Sequence, residues 1–118
     1  MASSSPHLSP VQLALLDDAL RQRLIETDGR IAALAESLKA RPPCFADAVE
    51  RSSYEMQHTL VEKRLEQEQQ RRTQILRAIK RMSEGEYGYC ERSGEPIPLA
   101  RLKALPEATT LGPEAETD

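Results

Sequence analysis

The sequence predicts a mainly α protein: a long antiparallel coiled-coil hairpin followed by a small, turn-rich C-terminal module. Three observations predict it. Leucine and isoleucine recur at helical spacing from Leu13 to Leu38, a second heptad-spaced row runs from Tyr54 to Met82, and Pro42-Pro43 stands between the two. With only about eight residues separating the patterns, the helices must turn back on each other as an αα-hairpin. A parallel homodimer would leave the Pro-Pro break unexplained, so the hairpin closes within one chain and a monomer is expected. Composition agrees: in 118 residues, charged side chains make up 30% and aromatics 3%, with no Trp. Such a chain suits one domain with a narrow apolar seam better than a large round core.

Residues 1–8 are Ser-rich and carry no periodic apolar residue before Leu8, so they are expected to be disordered. Ser9-Pro10 is a helix start, a capping hydroxyl followed by proline at the first helical position. From there Leu13, Leu16, Leu20, Leu24, Ile31, Leu34 and Leu38 form one stripe on a helix of about 30 residues. Gly29 interrupts it at a cost of about 1 kcal/mol relative to Ala. Arg41-Pro42-Pro43 stops the helix, because a residue before proline is pushed out of the α region. The tip is placed at 41–52.

Asp47 then opens a second helix, whose seam reads Tyr54, His58, Val61, Leu65, Glu68, Arg72, Ile75, Ile79 and Met82. Alternating steps of four and three make this a heptad seam. Its polar middle, Glu68 and Arg72, calls for polar partners on the first helix, with Arg23 and Thr27 as candidates. Arg71, Arg72, Arg77, Lys80 and Arg81 read as a solvated helix face. The hairpin thus spans 9–84. After Gly85 the period disappears and glycines punctuate tight loops. A short helix is expected over Arg101 to Leu105, ended by Pro106. The acidic tail 112–118 is expected to be disordered.

Several classes of function are excluded. A net charge of −3 gives no overall pull toward nucleic acid or anionic membrane, so direct sequence-specific nucleic-acid binding is not expected. The N-terminus has no basic start or apolar run of secretory type, and His7 to Leu16 is about half of a membrane span; a cytoplasmic protein is expected. Cys44 and Cys90 are too few for a disulfide scaffold. A predicted helix of about 57 Å also separates them. One Cys90, two scattered His residues and no Gly-rich phosphate loop offer no nucleophile–base pair, so an enzyme is not expected.

The stretch Pro42-Pro43-Cys44-Phe45-Ala46-Asp47-Ala48-Val49-Glu50-Arg51-Ser52 has two readings. Asp at N-cap with Glu three residues on is a capping box, which satisfies orphan N–H groups at a helix start. The same carboxylates, at the end of a hairpin, are also placed to meet a partner. Cys44 reads either as a small apolar residue or as an exposed thiol open to oxidation. Phe45 and His58 read as packing residues, at the turn and on the seam.

The run Tyr87-Gly88-Tyr89-Cys90-x-x-Ser93-Gly94-Glu95-x-Ile97, then Arg101-Leu102-x-Ala104-x-Pro106-x-Ala108, resembles the C-terminal region of the DksA/TraR family. There it forms a four-cysteine zinc finger at the base of a coiled-coil hairpin. Tracked back without a gap, the family's tip motif falls on Asp47-Ala48-Val49-Glu50-Arg51-Ser52, and the match runs from about Ser9 to about Glu114. The resemblance implies a transcription regulator whose hairpin enters the secondary channel of bacterial RNA polymerase. It places Asp47, Val49, Glu50, Arg51 and Ser52 at the polymerase-binding tip, with the carboxylates near the catalytic centre, where they change how the enzyme isomerises on promoters. A diverged coiled-coil adaptor that binds another protein is the alternative.

The departures from the family are specific. Its four metal positions fall on Cys90, Ser93, Leu111 and Glu114, and neither Ser nor Leu is a usual zinc ligand. The expectation is a degenerate, zinc-finger-like base over 85–111 that works without metal. Tyr87, Tyr89, Ile97, Leu99, Leu102, Leu105 and Leu111 must then supply its core and pack on Ile75, Leu76 and Ile79. Positions where the family uses basic residues for guanosine tetraphosphate carry Gln74 and Leu105, so no alarmone response is expected. Glu50 stands where the family has Asp, one methylene longer, and Ser52 replaces the family's Ala.

Overall fold

The computed structural model describes residues 8–40 and 44–109. Three helices follow in order: α1 (Pro10–Lys39), α2 (Ala48–Ser83) and α3 (Leu99–Ala104). The only sheet-like pairing among the described residues is one isolated bridge, Tyr89 to Pro96. The fold is mainly α, with α1 and α2 paired antiparallel as a coiled-coil hairpin. The chain divides into two units, one joining Met1–Ile25 with Thr73–Asp118 and the other spanning Glu26–Arg72.

In the unit over Glu26–Arg72, the two apolar periods face inward. Ile31, Leu34 and Leu38 on α1 and Tyr54, His58, Val61 and Leu65 on α2 are all half-buried. Leu38 borders the same concavity as Tyr54, His58 and Val61. Thr27 carries the α1 stripe across its gap in leucine and is fully buried. The polar middle is paired, but not with the partners expected from sequence. Arg30 Nε donates to Glu68 at 3.1 Å and Arg72 Nε donates to Asp28 at 2.6 Å. Thr27 contributes indirectly, accepting from Arg30 at 3.3 Å, while Arg23 points elsewhere. A guanidinium reaches about a helical turn along a neighbour, so the apolar period fixes the face but not the partner. Gly29 lies within α1, and a side chain there would meet nothing within 4 Å.

The other unit is built around ten buried apolar residues: Leu8, Leu16, Leu20, Ile75, Ala78, Tyr87, Cys90, Ile97, Leu102 and Ala108. Its first helix begins with a full capping box. Gln12 N–H donates to Ser9 Oγ at 3.1 Å, and Ser9 N–H donates back to the Gln12 side chain at 2.9 Å. This satisfies two of the N–H groups that a helix start leaves without an intrahelical partner. Leu8, expected in a disordered N-terminus, is instead 4% exposed and part of the core. A hydrophobic residue just before an N-cap commonly packs back on the structure in this way.

α2 ends in a Schellman motif. Gly85 takes φ 77°, the left-handed region that glycine enters without steric penalty. Glu86 N–H then reaches Arg81 O at 2.8 Å and Gly85 N–H reaches Met82 O at 3.3 Å, satisfying the last carbonyls. The following loop is closed by Ile97 N–H to Gly88 O at 2.7 Å and Cys90 N–H to Glu95 O at 2.8 Å. α3 starts at Leu99 rather than Arg101, because Pro98 ends the extended segment with φ −57° and Leu99 is already helical. Of the expected core, Leu99, Leu105 and Ile79 are partly buried against it, whereas Leu76 is 39% exposed and Ala78 takes the inward position. Leu111 lies outside the described residues.

Candidate functional site

The turn between α1 and α2 carries the candidate tip, although Arg41, Pro42 and Pro43 lie outside the described residues. Asp47 precedes the first residue of α2. Its Oδ1 accepts from Glu50 N–H at 2.8 Å, while Glu50 Oε1 accepts from Ala46 N–H at 3.0 Å. The capping reading is therefore realised, with the return bond displaced by one residue from the usual box. Capping also fixes both carboxylates in place: each spends one oxygen on the backbone, and both side chains are exposed. Two negative groups at a helix N-terminus are favoured by the partial positive charge there.

Val49 is 77% exposed, and Arg51 and Ser52 are exposed as well. Behind the carboxylates, the half-buried Phe45 ring lies 5.2 Å from Tyr54, and Tyr54 lies 6.0 Å from His58. Both distances are within the range for aromatic contact. Phe45 therefore braces the turn, and His58 packs on the seam beside Glu62 at 3.8 Å. Cys44 is exposed, so the semi-buried apolar reading gives way to that of an accessible thiol. The turn thus presents a cluster of five exposed side chains, Asp47, Val49, Glu50, Arg51 and Ser52, on backbone held by caps.

Of the candidate metal positions, Cys90 and Ser93 lie in the 85–109 module. Cys90 is 1% exposed inside the apolar core. The Ser93 hydroxyl is occupied as an acceptor, weakly, from Glu95 N–H at 3.4 Å. Leu111 and Glu114 lie outside the described residues. Among the described residues, no group of three or more His, Cys, Asp or Glu side chains could hold a metal ion. A structural zinc site takes four ligands, almost always thiolate or imidazole. A set of one thiol, one neutral hydroxyl, a leucine and a glutamate does not fit it, because Cys90 and Glu114 alone cannot complete four ligands. Of the positions matching the family's alarmone-binding cations, Gln74 is exposed and Leu105 is packed against the core.

The basic cluster is largely the solvated face that its sequence suggests, with Arg71, Arg72, Arg77 and Lys80 exposed and Arg81 the exception. Arg81 turns inward, donating to the carbonyls of Glu86 at 3.0 Å and Tyr89 at 2.9 Å. Arg77 pairs with Glu91 at 3.1 Å. Sequence reasoning also missed Arg23, which reaches Ala104 O at 3.1 Å and Glu107 at 3.6 Å. The only trace of Arg81 in the sequence is its place one turn before Gly85; Arg23 and Glu107, far apart in the chain, leave none.

Comparison with known proteins bears on both regions. Residues 85–110 match the family described as prokaryotic dksA/traR C4-type zinc finger. The RNA polymerase-binding transcription factor DksA of Caulobacter vibrioides is 42% identical over 64 residues, covering 54% of this chain and 45% of that protein. General stress protein 16O of Bacillus subtilis is 42% identical over 45 residues, or 38% of this chain and 27% of that protein. The chain thus matches less than half the length of these curated relatives. The structure of transcription factor DksA2 from Pseudomonas aeruginosa superimposes with a TM-score of 0.75 at 33% identity, covering 86% of this chain and 78% of that one.

Proposed function

The chain belongs to the DksA/TraR family, and on that premise we propose that it regulates transcription by binding bacterial RNA polymerase through its secondary channel, without zinc. The reading rests on one observation above the others: Asp47 and Glu50 are exposed at the start of α2, each fixed by a backbone bond. In this reading the factor makes and breaks no bond. Its carboxylates enter near the polymerase's catalytic centre and pair with basic or mobile elements there, shifting the balance between promoter complexes. Pre-fixing the side chains lowers the entropy lost when they bind, which is costly for long charged groups. Glu50 carries its charge about 1.5 Å further than Asp does, one methylene's length, and its bond to Ala46 N–H bends that extra reach back toward the turn.

The zinc-free part of the proposal is supported by the donor set and by the burial of Cys90 in an apolar core. Folding of the module then draws on Tyr87, Ile97 and Leu102 rather than on metal-binding free energy. The absence of a cation at Gln74 and Leu105 supports a factor that acts without guanosine tetraphosphate, because a polyphosphate needs positive charge. The factor acts as a monomer in the cytoplasm.

Co-purification with core polymerase tests the reading. Retention that a Gre-type secondary-channel factor competes away supports it. No retention, with both tip carboxylates dispensable, would assign the chain instead as an adaptor for another protein.

A further inference from the structure

Glu107 is the one buried carboxylate among the described residues. Its side chain is 2% exposed, and its Oε1 has no hydrogen-bond partner. A carboxylate taken out of water in this way is strongly unfavourable unless a cation compensates it. The compensating group is Arg23 of α1, whose Nη1 lies 3.6 Å from that oxygen. The same guanidinium donates through Nη2 to Ala104 O at 3.1 Å, at the end of α3. One α1 side chain therefore holds both sides of the turn that leads from α3 into residues 105–109.

That turn is fixed from the opposite direction too. The Tyr87 hydroxyl donates to Pro106 O at 2.7 Å. Burial, with the Glu107 charge adding to it, pushes the ionisation of Tyr87 well above the usual tyrosine range, which keeps the hydroxyl a donor. Glu91 N–H donates to Thr109 O at 2.8 Å, and the Thr109 hydroxyl donates to Glu91 at 3.0 Å. In a four-cysteine finger, the metal ties the loop at the first ligand pair to the segment carrying the second pair. In this chain the first stretch is the loop at 87–93, and residues 107–109 lead into the second.

We infer that the Arg23–Glu107 pair does the metal's structural work, anchoring residues 105–109 to α1 while Tyr87 and Glu91 join them to the former ligand loop. This rests on the zinc-free reading above. The pair has a directional signature. Removing Arg23 strands a carboxylate that is only 2% exposed, whereas removing Glu107 leaves a guanidinium whose side chain is 33% exposed. The two partners are therefore unequal in what their loss does.

The test is a double-mutant cycle on the full chain in chelator, with Arg23→Met, Glu107→Leu and the combined variant followed by thermal unfolding. Arg23→Met should lower the melting temperature by about 10 °C or more, Glu107→Leu by only a few degrees, and the combined variant should return to about the Glu107→Leu value. An Arg23→Met chain too unstable to fold, beside a folded combined variant, supports the inference equally. A combined variant no better than Arg23→Met alone, or strictly additive singles, overturns it. Wild-type protein is assayed first for zinc and for chelator sensitivity. Bound zinc whose removal melts the module overturns the zinc-free reading and the anchor with it. Zinc-free protein with additive singles overturns the anchor alone.

Discussion

Asp47 has two roles that substitution can separate. As a cap, its Oδ1 accepts the Glu50 N–H at 2.8 Å; as a charge, it stands exposed at the start of α2. Asp47→Ala removes both, costing the helix start about 1 kcal/mol for the cap and a further 0.3 to 1 kcal/mol, roughly, for the lost charge at the helix terminus. Asp47→Asn keeps an equivalent acceptor and loses only the charge contribution. Since the turn is local, native-state hydrogen exchange at the Glu50 amide reads the effect better than global melting does. Protection there should fall by roughly 10- to 30-fold in Asp47→Ala, since a cost of about 1.3 to 2 kcal/mol corresponds to that range. In Asp47→Asn it should fall by roughly 2- to 5-fold on the charge contribution alone. Equal loss of protection in both variants would rule out the cap, because the side chain would then act on the helix through its charge alone.

Three further outcomes follow from the packing. Ile75, fully buried, should cost about 2 to 5 kcal/mol on truncation to Ala, whereas Leu76→Ala, at a position 39% exposed, should cost about 1 kcal/mol or less in urea unfolding; equal losses would contradict the assigned face of α2. Asp28→Asn should change stability by about 1 kcal/mol at most despite its 2.6 Å contact with Arg72, since both side chains are more than 40% exposed, and the difference should vanish in 1 M salt, where the screening length is about 3 Å. Tyr87 ionises above its ordinary range in the folded chain, so the unfolded chain releases that proton first and stability falls as pH rises past about 10. Stability curves of Tyr87→Phe should lack that part of the slope; an unchanged slope would place the titrating group elsewhere.

Much of this architecture was legible in the chain because helical periodicity reports burial directly. The α1 row from Leu13 to Leu38 and the α2 row from Tyr54 to Met82 lie on the inward faces, except at Arg72, which is exposed and paired. The helix starts at Ser9-Pro10 and Asp47 were legible too, because capping is local chemistry. Partner choice was not. Glu68 and Arg72 select Arg30 and Asp28 rather than Arg23 and Thr27, because the register across a hairpin is set at the turn and long side chains reach past the nearest position. Leu76, expected to pack under the module, is 39% exposed and Ala78 is buried, since a module packed on a helix shifts the buried face. The Arg23–Glu107 pair joins residues 84 positions apart, and periodicity carries no information at that range. At the candidate site, the two tip carboxylates and the substitutions at three of the family's four metal positions could be read from residue identity alone. That the carboxylates are held by Ala46 and Glu50 backbone, and that Cys90 sits within the core, required coordinates.

In the proposed function, an exposed tip carboxylate acts inside the polymerase. The most direct measurement is the lifetime of open promoter complexes with saturating wild-type protein beside saturating Asp47→Asn, with polymerase occupancy checked in the same samples. Wild type should change the lifetime, while Asp47→Asn, capped and bound, should leave it near the value without factor. A bound Asp47→Asn protein that changes the lifetime as much as wild type would contradict that role.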